Sequence, residues 1–316
     1  MAHSPPLLLA FRNKTAHFVK TRPTLVKTVS QNCRRHVDRF AEAIAKADAL
    51  LGRTGDPVLE DLLATFAPGD TERLTLETAV RSSPISRILL ARKQSSYREV
   101  GTLAHLFTRI RKKGAPKSDA AELARTNQRR LVSIAQMQQM AQDVHDTVVT
   151  TVAGDIEAVT AANKLAVLLG NALFALAVKT VTDMRDSRLL PLYLLSLERF
   201  SSSFFDQEDG RSSLQWLSPR EQWCRHQART TEPLANAFEC SLLLAGGAAE
   251  ECAAARRCGT DLALAMQIRR EQRYVAGEVS SVIRELADGV LAYAADCEMS
   301  DDLAAFQDIA ASLKDT

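Results

Sequence analysis

The residues of this 316-residue chain best suited to chemistry fall in two groups, Asp143, His145 and Asp146 in one and Gln267, Arg269, Arg270 and Glu271 in the other. Carboxylates one helical turn apart share a helix face and can supply the oxygen ligands that a hard divalent cation requires. Asp143 and Asp146 meet that spacing, but two carboxylates alone are equally well read as solvated surface charge. His145 has acid or base chemistry, yet nothing near it in sequence pairs with it. Arg269 and Arg270 offer guanidinium forks that match phosphate oxygens; the plainer reading is a charged patch with Glu271. The cysteines, Cys33, Cys224, Cys240, Cys252, Cys258 and Cys297, contain no C-x-x-C pair and no Cys/His cluster of zinc type. They read as buried free thiols, and Cys252 and Cys258 lie too far round and along a helix for an easy disulfide.

These groups need helices to hold them. Leu131, Ile134, Met137, Met140, Val144 and Val148 step by three and four and mark one apolar face. Helical patterns run over about 37–51, 57–66, 70–82, 84–93, 96–112, 118–150, 155–182, 186–204, 220–246, 247–274, 276–297 and 301–314. Gly52 to Pro57, Arg111 to Pro116 and the polar stretch Asp206 to Ser213 break them, and Ser118 with Asp119 and Glu122 makes a helix start. With 46% hydrophobic and 5% aromatic residues, and no series of alternating β-branched runs, the chain is all-α, one large helical domain or two small ones. A formal net charge of +2 gives no general attraction to nucleic acid.

Residues 1–37 carry Arg12, Lys14, Lys20, Arg22, Lys27, Arg34 and Arg35 with no acidic residue. That composition predicts a mitochondrial presequence, the competing reading being a basic arm. The apolar run Leu7 to Phe11 is far short of the roughly 20 residues a spanning helix needs. No other segment reads as a membrane span, which leaves only peripheral contact with a membrane.

The end of the first helix, His145-Asp-Thr-Val-Val-Thr150, resembles the first metal helix of the trans-isoprenyl diphosphate synthases, where a His-Asp-Asp-x-x-Asp sequence holds magnesium against an allylic diphosphate. Asp146 is kept; Thr147 and Thr150 stand in the other two aspartate places, and neutral hydroxyls cannot replace that charge. Asn163 to Ala177 is similar to the Lys-x-Ala-x-Leu-x-Gly-Asp-x-Leu helix of that family, with Lys164 and Gly170 matching and Asn171 in place of the aspartate. Gly259 to Glu271 resembles its second metal helix, with Met266-Gln267 for Phe-Gln and with Arg270, Glu271 and Tyr274 where aspartates belong. Arg229 and Thr230 fall at the Lys-Thr pair that faces the diphosphate. The resemblance covers about residues 85 to 275.

A helical frame without both aspartate motifs resembles one branch in particular, the second, non-catalytic subunit of heteromeric decaprenyl or solanesyl diphosphate synthases. Ser83 to Arg92 and Tyr97 to Pro116 are similar to that subunit's own version of the region, which lacks the Gly-Gly-Lys-Arg site for isopentenyl diphosphate. The resemblance implies an isoprenoid-synthase helical bundle over 37–316, after a presequence at 1–36, and a mitochondrial matrix protein. It implies no catalytic residue and no metal here, with magnesium held by a catalytic partner in a heterodimer or heterotetramer that makes the ubiquinone side chain. Residual diphosphate contacts would be Lys164, Arg229, Thr230 and Gln267. The subunit seam would take Met137, Met140, Val144, Val148, Leu168 and Phe174. Two other classes compete: an active terpene or prenyl synthase using Asp143, Asp146 and Glu271, and a structural subunit of a larger mitochondrial assembly.

Overall fold

A helix surrounded by other helices cannot be amphipathic, and the segment around Leu234 is buried without interruption from 231 to 238, polar residues included. The computed structural model describes residues 39–52, 96–110, 121–145, 156–209, 228–271 and 279–314. The elements are helices: α1 (39–50), α2 (Ser96–Arg109), α3 (Ala121–His145), α4 (Ile156–Asp183), α5 (Leu189–Asp209), α6 (Ala228–Leu244), α7 (Ala249–Glu271), α8 (Val279–Ala295) and α9 (Asp301–Lys314). The central one is α6, which packs against α7, α3, α5 and α2.

Central burial forces α6 to satisfy its polar groups internally. Both carboxylate oxygens of Glu232 accept from Arg256 Nη2 on α7, at 2.7 and 2.6 Å, and Arg256 Nη1 donates to Glu239 at 2.8 Å. Arg199 on α5 reaches within 4.0 Å of Glu232. One acidic helix is thereby tied to two neighbours. One turn along α7 from Arg256, Gly259 lets the backbones meet: a Cβ there would lie 2.8 Å from both the Ala235 Cα and the Leu234 carbonyl oxygen.

Two apolar clusters flank this helix. The larger joins α1, α2, α3, α6, α7, α8 and α9, with Phe107 stacked on Phe238 at 3.7 Å and Phe306 set against both. Phe40, Ile44 and Ala47 bring α1 into it, while Thr102 donates to Asp48 and the Arg269 guanidinium lies 4.3 Å over the Phe40 ring. The second cluster takes Leu131, Ile134, Met137 and Met140 of α3, Leu173 and Leu176 of α4, and Tyr193 of α5.

Short turns fix the helix order. Between α4 and α5, Arg185 sits at φ 55° and Arg130 Nη1 donates to the Asp183 carbonyl at 3.1 Å. Asp186 accepts from Arg188 Nε and Nη2 at 3.0 and 2.7 Å, and these bonds hold its carboxyl below the usual carboxylate range. Between α6 and α7, Gly246 takes φ 80°, and the Gly247 N–H returns to the Leu242 carbonyl at 2.9 Å, closing the helix end.

The all-α expectation holds. Helices expected at 57–66, 70–82 and 84–93 lie outside the described residues, and α5 continues to Asp209, through the start of the break expected at Asp206. The periodicity of α3 marked a single apolar face, yet every residue from 131 to 144 except Ser133 and Asp143 is buried. Cys240, Cys252, Cys258 and Cys297 are free and buried, and burial pushes the Cys240 thiol up to about 12; Cys33 and Cys224 lie outside the described residues. Beyond the sequence expectation of no further spanning segment, Ala166–Asp183 is long and apolar enough to cross a membrane by length and composition alone, although Leu173, Leu176, Ala177 and Val181 pack into the second cluster.

Gly259→Ala is expected to cost about 3 kcal/mol, because the new methyl meets backbone rather than a side chain that can swing away. Urea unfolding measures it; a midpoint within error of the parent protein's would show that α6 and α7 are not in close backbone contact.

Candidate functional site

The helix directions bring the two sequence groups to one end of the bundle. Gln136 on α3 lies against Gly101 on α2, and two residues earlier on α2 Glu99 forms an ion pair with Arg270 near the end of α7. Gln128 Nε2 on α3 donates to the Thr108 carbonyl of α2 at 2.9 Å while Gln136 lies against Gly101, so α2 runs antiparallel to α3 and its start faces the C-terminal half of α3 and the end of α7. Because α6 runs antiparallel to α7, with Glu239 and Glu232 on Arg256 and Ala235 on Gly259, its first turn points toward the Gln267 end as well.

Arg270 is the informative residue. Its Nη2 pairs with the Glu99 carboxylate, 171 residues away in sequence, and its Nη1 donates to Gln267 Oε1 at 3.4 Å. Only about a third of the Arg270 side chain and a sixth of that of Glu99 are exposed, so both charges are partly withdrawn from water. The expected patch of Arg269, Arg270 and Glu271 is thus divided: Arg270 turns to α2 and Arg269 to the Phe40 ring of α1. Glu271 closes α7 with its side chain outside the described residues, as Tyr274 is entirely. A guanidinium fixed at this position repels a divalent cation, and the local carboxylate is taken up by that guanidinium. The described residues of the second group therefore do not fit magnesium, and among the described residues no three His, Cys, Asp or Glu side chains come together to hold a metal.

At the first group, Asp143 accepts from Gln139 Nε2 at 3.1 Å within its own helix. The His145 ring covers Gly170 of α4, where a Cβ would fall 2.4 Å from Nε2, and it stacks on Phe174 with centroids 5.8 Å apart and planes at 17°. Phe174 in turn meets Phe200 of α5 at 5.4 Å. Gly170 is thus a packing requirement, and His145 has the partners its sequence neighbourhood lacks. Asp146, Thr147, Val148 and Thr150 lie outside the described residues.

The other sequence-chosen residues scatter in role. Lys164 is exposed on α4, Thr230 is partly buried in the first turn of α6, and Arg229 contributes backbone to that turn. Met137, Met140 and Val144 are corrected as seam residues: all three are buried inside this chain, Val144 completely, and cannot present side chains to another subunit. Phe174 is half-buried against His145 and Phe200. Leu168 alone of the described seam residues stands out, 66% exposed, beside Val167 at 40%.

Sequence reading missed Glu99 and the buried amides of α3. Gln138 Nε2 donates to Ser196 Oγ of α5 at 3.0 Å inside the bundle, and Gln136, Gln139 and Gln142 are also buried. No local signal marks Glu99, because its partner comes from the far end of the chain.

No protein-family model matches the sequence, and no curated protein matches it. Solved structures do match the fold. A decaprenyl diphosphate synthase from Rhodobacter capsulatus is 14% identical, with a TM-score of 0.59 over 88% of this chain and 98% of the other. A polyprenyl synthase from Caulobacter crescentus CB15, in complex with calcium and isoprenyl diphosphate, is 17% identical with a TM-score of 0.56 over the same shares. A heterotetrameric geranyl pyrophosphate synthase from mint, a deletion mutant with ligands, is 12% identical with a TM-score of 0.51 over 86% and 98%. At such identities the likeness shows the fold: this chain is an all-α bundle of isoprenoid-synthase type.

A double-mutant cycle with Glu99→Gln and Arg270→Gln should give a coupling of about 1 kcal/mol, as expected for a partly buried charge pair. Additive effects of the two substitutions in urea melts would mean that Arg270 is not held by Glu99.

Proposed function

We propose that this chain is the non-catalytic subunit of a heteromeric trans-polyprenyl diphosphate synthase, supporting a catalytic subunit that makes the ubiquinone side chain. The observation that carries the reading is the Arg270–Glu99 pair. In an isoprenoid-synthase bundle, the helix end where the resemblance implies a cation-binding aspartate instead holds a guanidinium with its own carboxylate. On this reading the chain's contribution is a surface and a scaffold, and ionisation of the allylic diphosphate with magnesium and head-to-tail addition of isopentenyl diphosphate take place in the partner.

The partner surface lies on the outer side of α4. That helix places Leu173, Leu176, Ala177 and Val181 in the core while Val167 and Leu168 project outward. An apolar helix with one side in the bundle and another in solvent suits burial against a second subunit. The assembly is a heterodimer or heterotetramer, and the mint enzyme of the same fold is itself heterotetrameric. The mitochondrial matrix as location, with residues 1–36 as a presequence, rests on the basic, acid-free sequence there. Lys164, Arg229, Thr230 and Gln267 remain the candidates for diphosphate contact at the common end of the bundle.

Isopentenyl incorporation with magnesium and an allylic diphosphate tests the function, run on the purified chain alone and on its complex with the catalytic subunit. Activity only in the complex is expected; turnover by the lone chain would end the non-catalytic reading. For the interface, Leu168→Glu should leave the thermal unfolding of the isolated chain nearly unchanged, since surface substitutions shift stability by about 0.5 kcal/mol or less. It should weaken capture of the catalytic subunit at least about tenfold. Undiminished capture on a sizing column would remove α4 from the interface. Val144→Asp is unsuitable for that purpose, because Val144 is fully buried and its substitution would unfold the chain itself.

A further inference from the structure

Away from the bundle end described above, a cleft of about 320 Å3 opens between α7 and α8. Ala254, Arg257, Cys258 and Asp261 line it from one face of α7, at helical spacing, with Gly289 and Tyr293 one turn apart on α8. Asp261 is 8% exposed. Gly289 keeps that carboxylate approachable: a Cβ there would lie 3.1 Å from Asp261 Oδ2 and cover it. The Tyr293 ring, which also lines the cleft, packs on Phe107 with centroids 5.7 Å apart. Arg257 is exposed at the rim, and the buried Cys258 thiol is a neutral wall.

Each wall selects a chemistry. Carboxyl oxygens accept hydrogen bonds, so the floor favours an ammonium or another N–H-rich group. An aromatic face beside it adds cation–π attraction. The guanidinium at the rim favours an anion, and a carboxylate satisfies its fork geometry. We propose that this cleft binds a small zwitterion, its ammonium directed to Asp261 and Tyr293 and its carboxylate to Arg257. The inference is independent of the synthase reading and concerns a different face of the molecule.

The test is a titration of the purified full-length chain with γ-aminobutyrate, butylamine and butyrate, three molecules with the same carbon spacing that carry both charges, the cation alone or the anion alone. Saturation-transfer NMR reads binding. The zwitterion should bind saturably at about millimolar concentration, as expected for so few atoms. Butylamine should bind about tenfold more weakly for want of the Arg257 contact, and butyrate more weakly still. Arg257→Gln, an exposed position that should not disturb folding, should reduce γ-aminobutyrate to the level of butylamine and leave butylamine unchanged. Gly289→Val should abolish binding of both. Absence of saturable γ-aminobutyrate binding by the parent protein overturns the proposal, as does butylamine binding equal to or tighter than the zwitterion's, or indifference of zwitterion binding to Arg257→Gln.

Discussion

The close contact of α6 with α7 is the constraint on which the rest of this bundle depends. Two helices whose backbones meet at Gly259 and Ala235 cannot be shifted by a turn without driving a side chain into a main chain. The same pair carries the ionic tie of Glu232, Arg256 and Glu239, whose charges are withdrawn from water and would be costly if separated. Sterics fix the spacing and the ions fix the register. Once both are set, the faces of α6 that remain determine where α2, α3 and α5 pack, and the common end of the bundle follows.

At that end, charge pairing accounts for the character of the site. Aspartates gathered at the ends of two facing helices would repel one another unless a cation neutralised them. Arg270 and Glu99 neutralise each other without one. The pair gives no electrostatic reason to recruit a cation at that position, and it links α2 to α7. The tie also has a mechanical effect, since α1 is fastened to the same helix end by Arg269 over Phe40.

The helices were legible in the sequence because their apolar spacing is strong, and α4, α7, α8 and α9 stand close to where that spacing places them, while α6 ends near its expected end and residues 220–227 of its expected span lie outside the described residues. Burial was less legible. A three-four pattern identifies one face of α3, but a helix enclosed on several sides also buries residues the pattern calls polar, and Gln136, Gln138, Gln139 and Gln142 are such residues. For the same reason Met137, Met140 and Val144 could be read as a seam: periodicity shows that a face seeks an apolar neighbour without showing whether that neighbour belongs to the same chain. That Arg270 disfavours a nearby cation follows from its type alone, whereas its partner Glu99 could be found only in three dimensions.

The two faces of α4 decide how far the synthase reading can be pressed. A long helix with apolar residues on its inner face needs only the bundle to explain it, and Leu173, Leu176, Ala177 and Val181 are explained in that way. Leu168 and Val167 are not, because exposed aliphatic side chains contribute nothing to the folding of this chain and favour association. The outer face also carries Lys164, Asn171 and Lys179, the last paired with Asp183 at 2.8 Å. Such interspersed charge favours a surface that can stand in water before it is covered. A helix inserted over Ala166–Asp183 would carry the Lys179–Asp183 ion pair in its last turn, where charged side chains are disfavoured unless they reach the interface. The mixed outer face of α4 is therefore better matched to a polar surrounding than to the interior of a bilayer, and the apolar composition of Ala166–Asp183 is explained on its inner side by Leu173, Leu176, Ala177 and Val181 in the core.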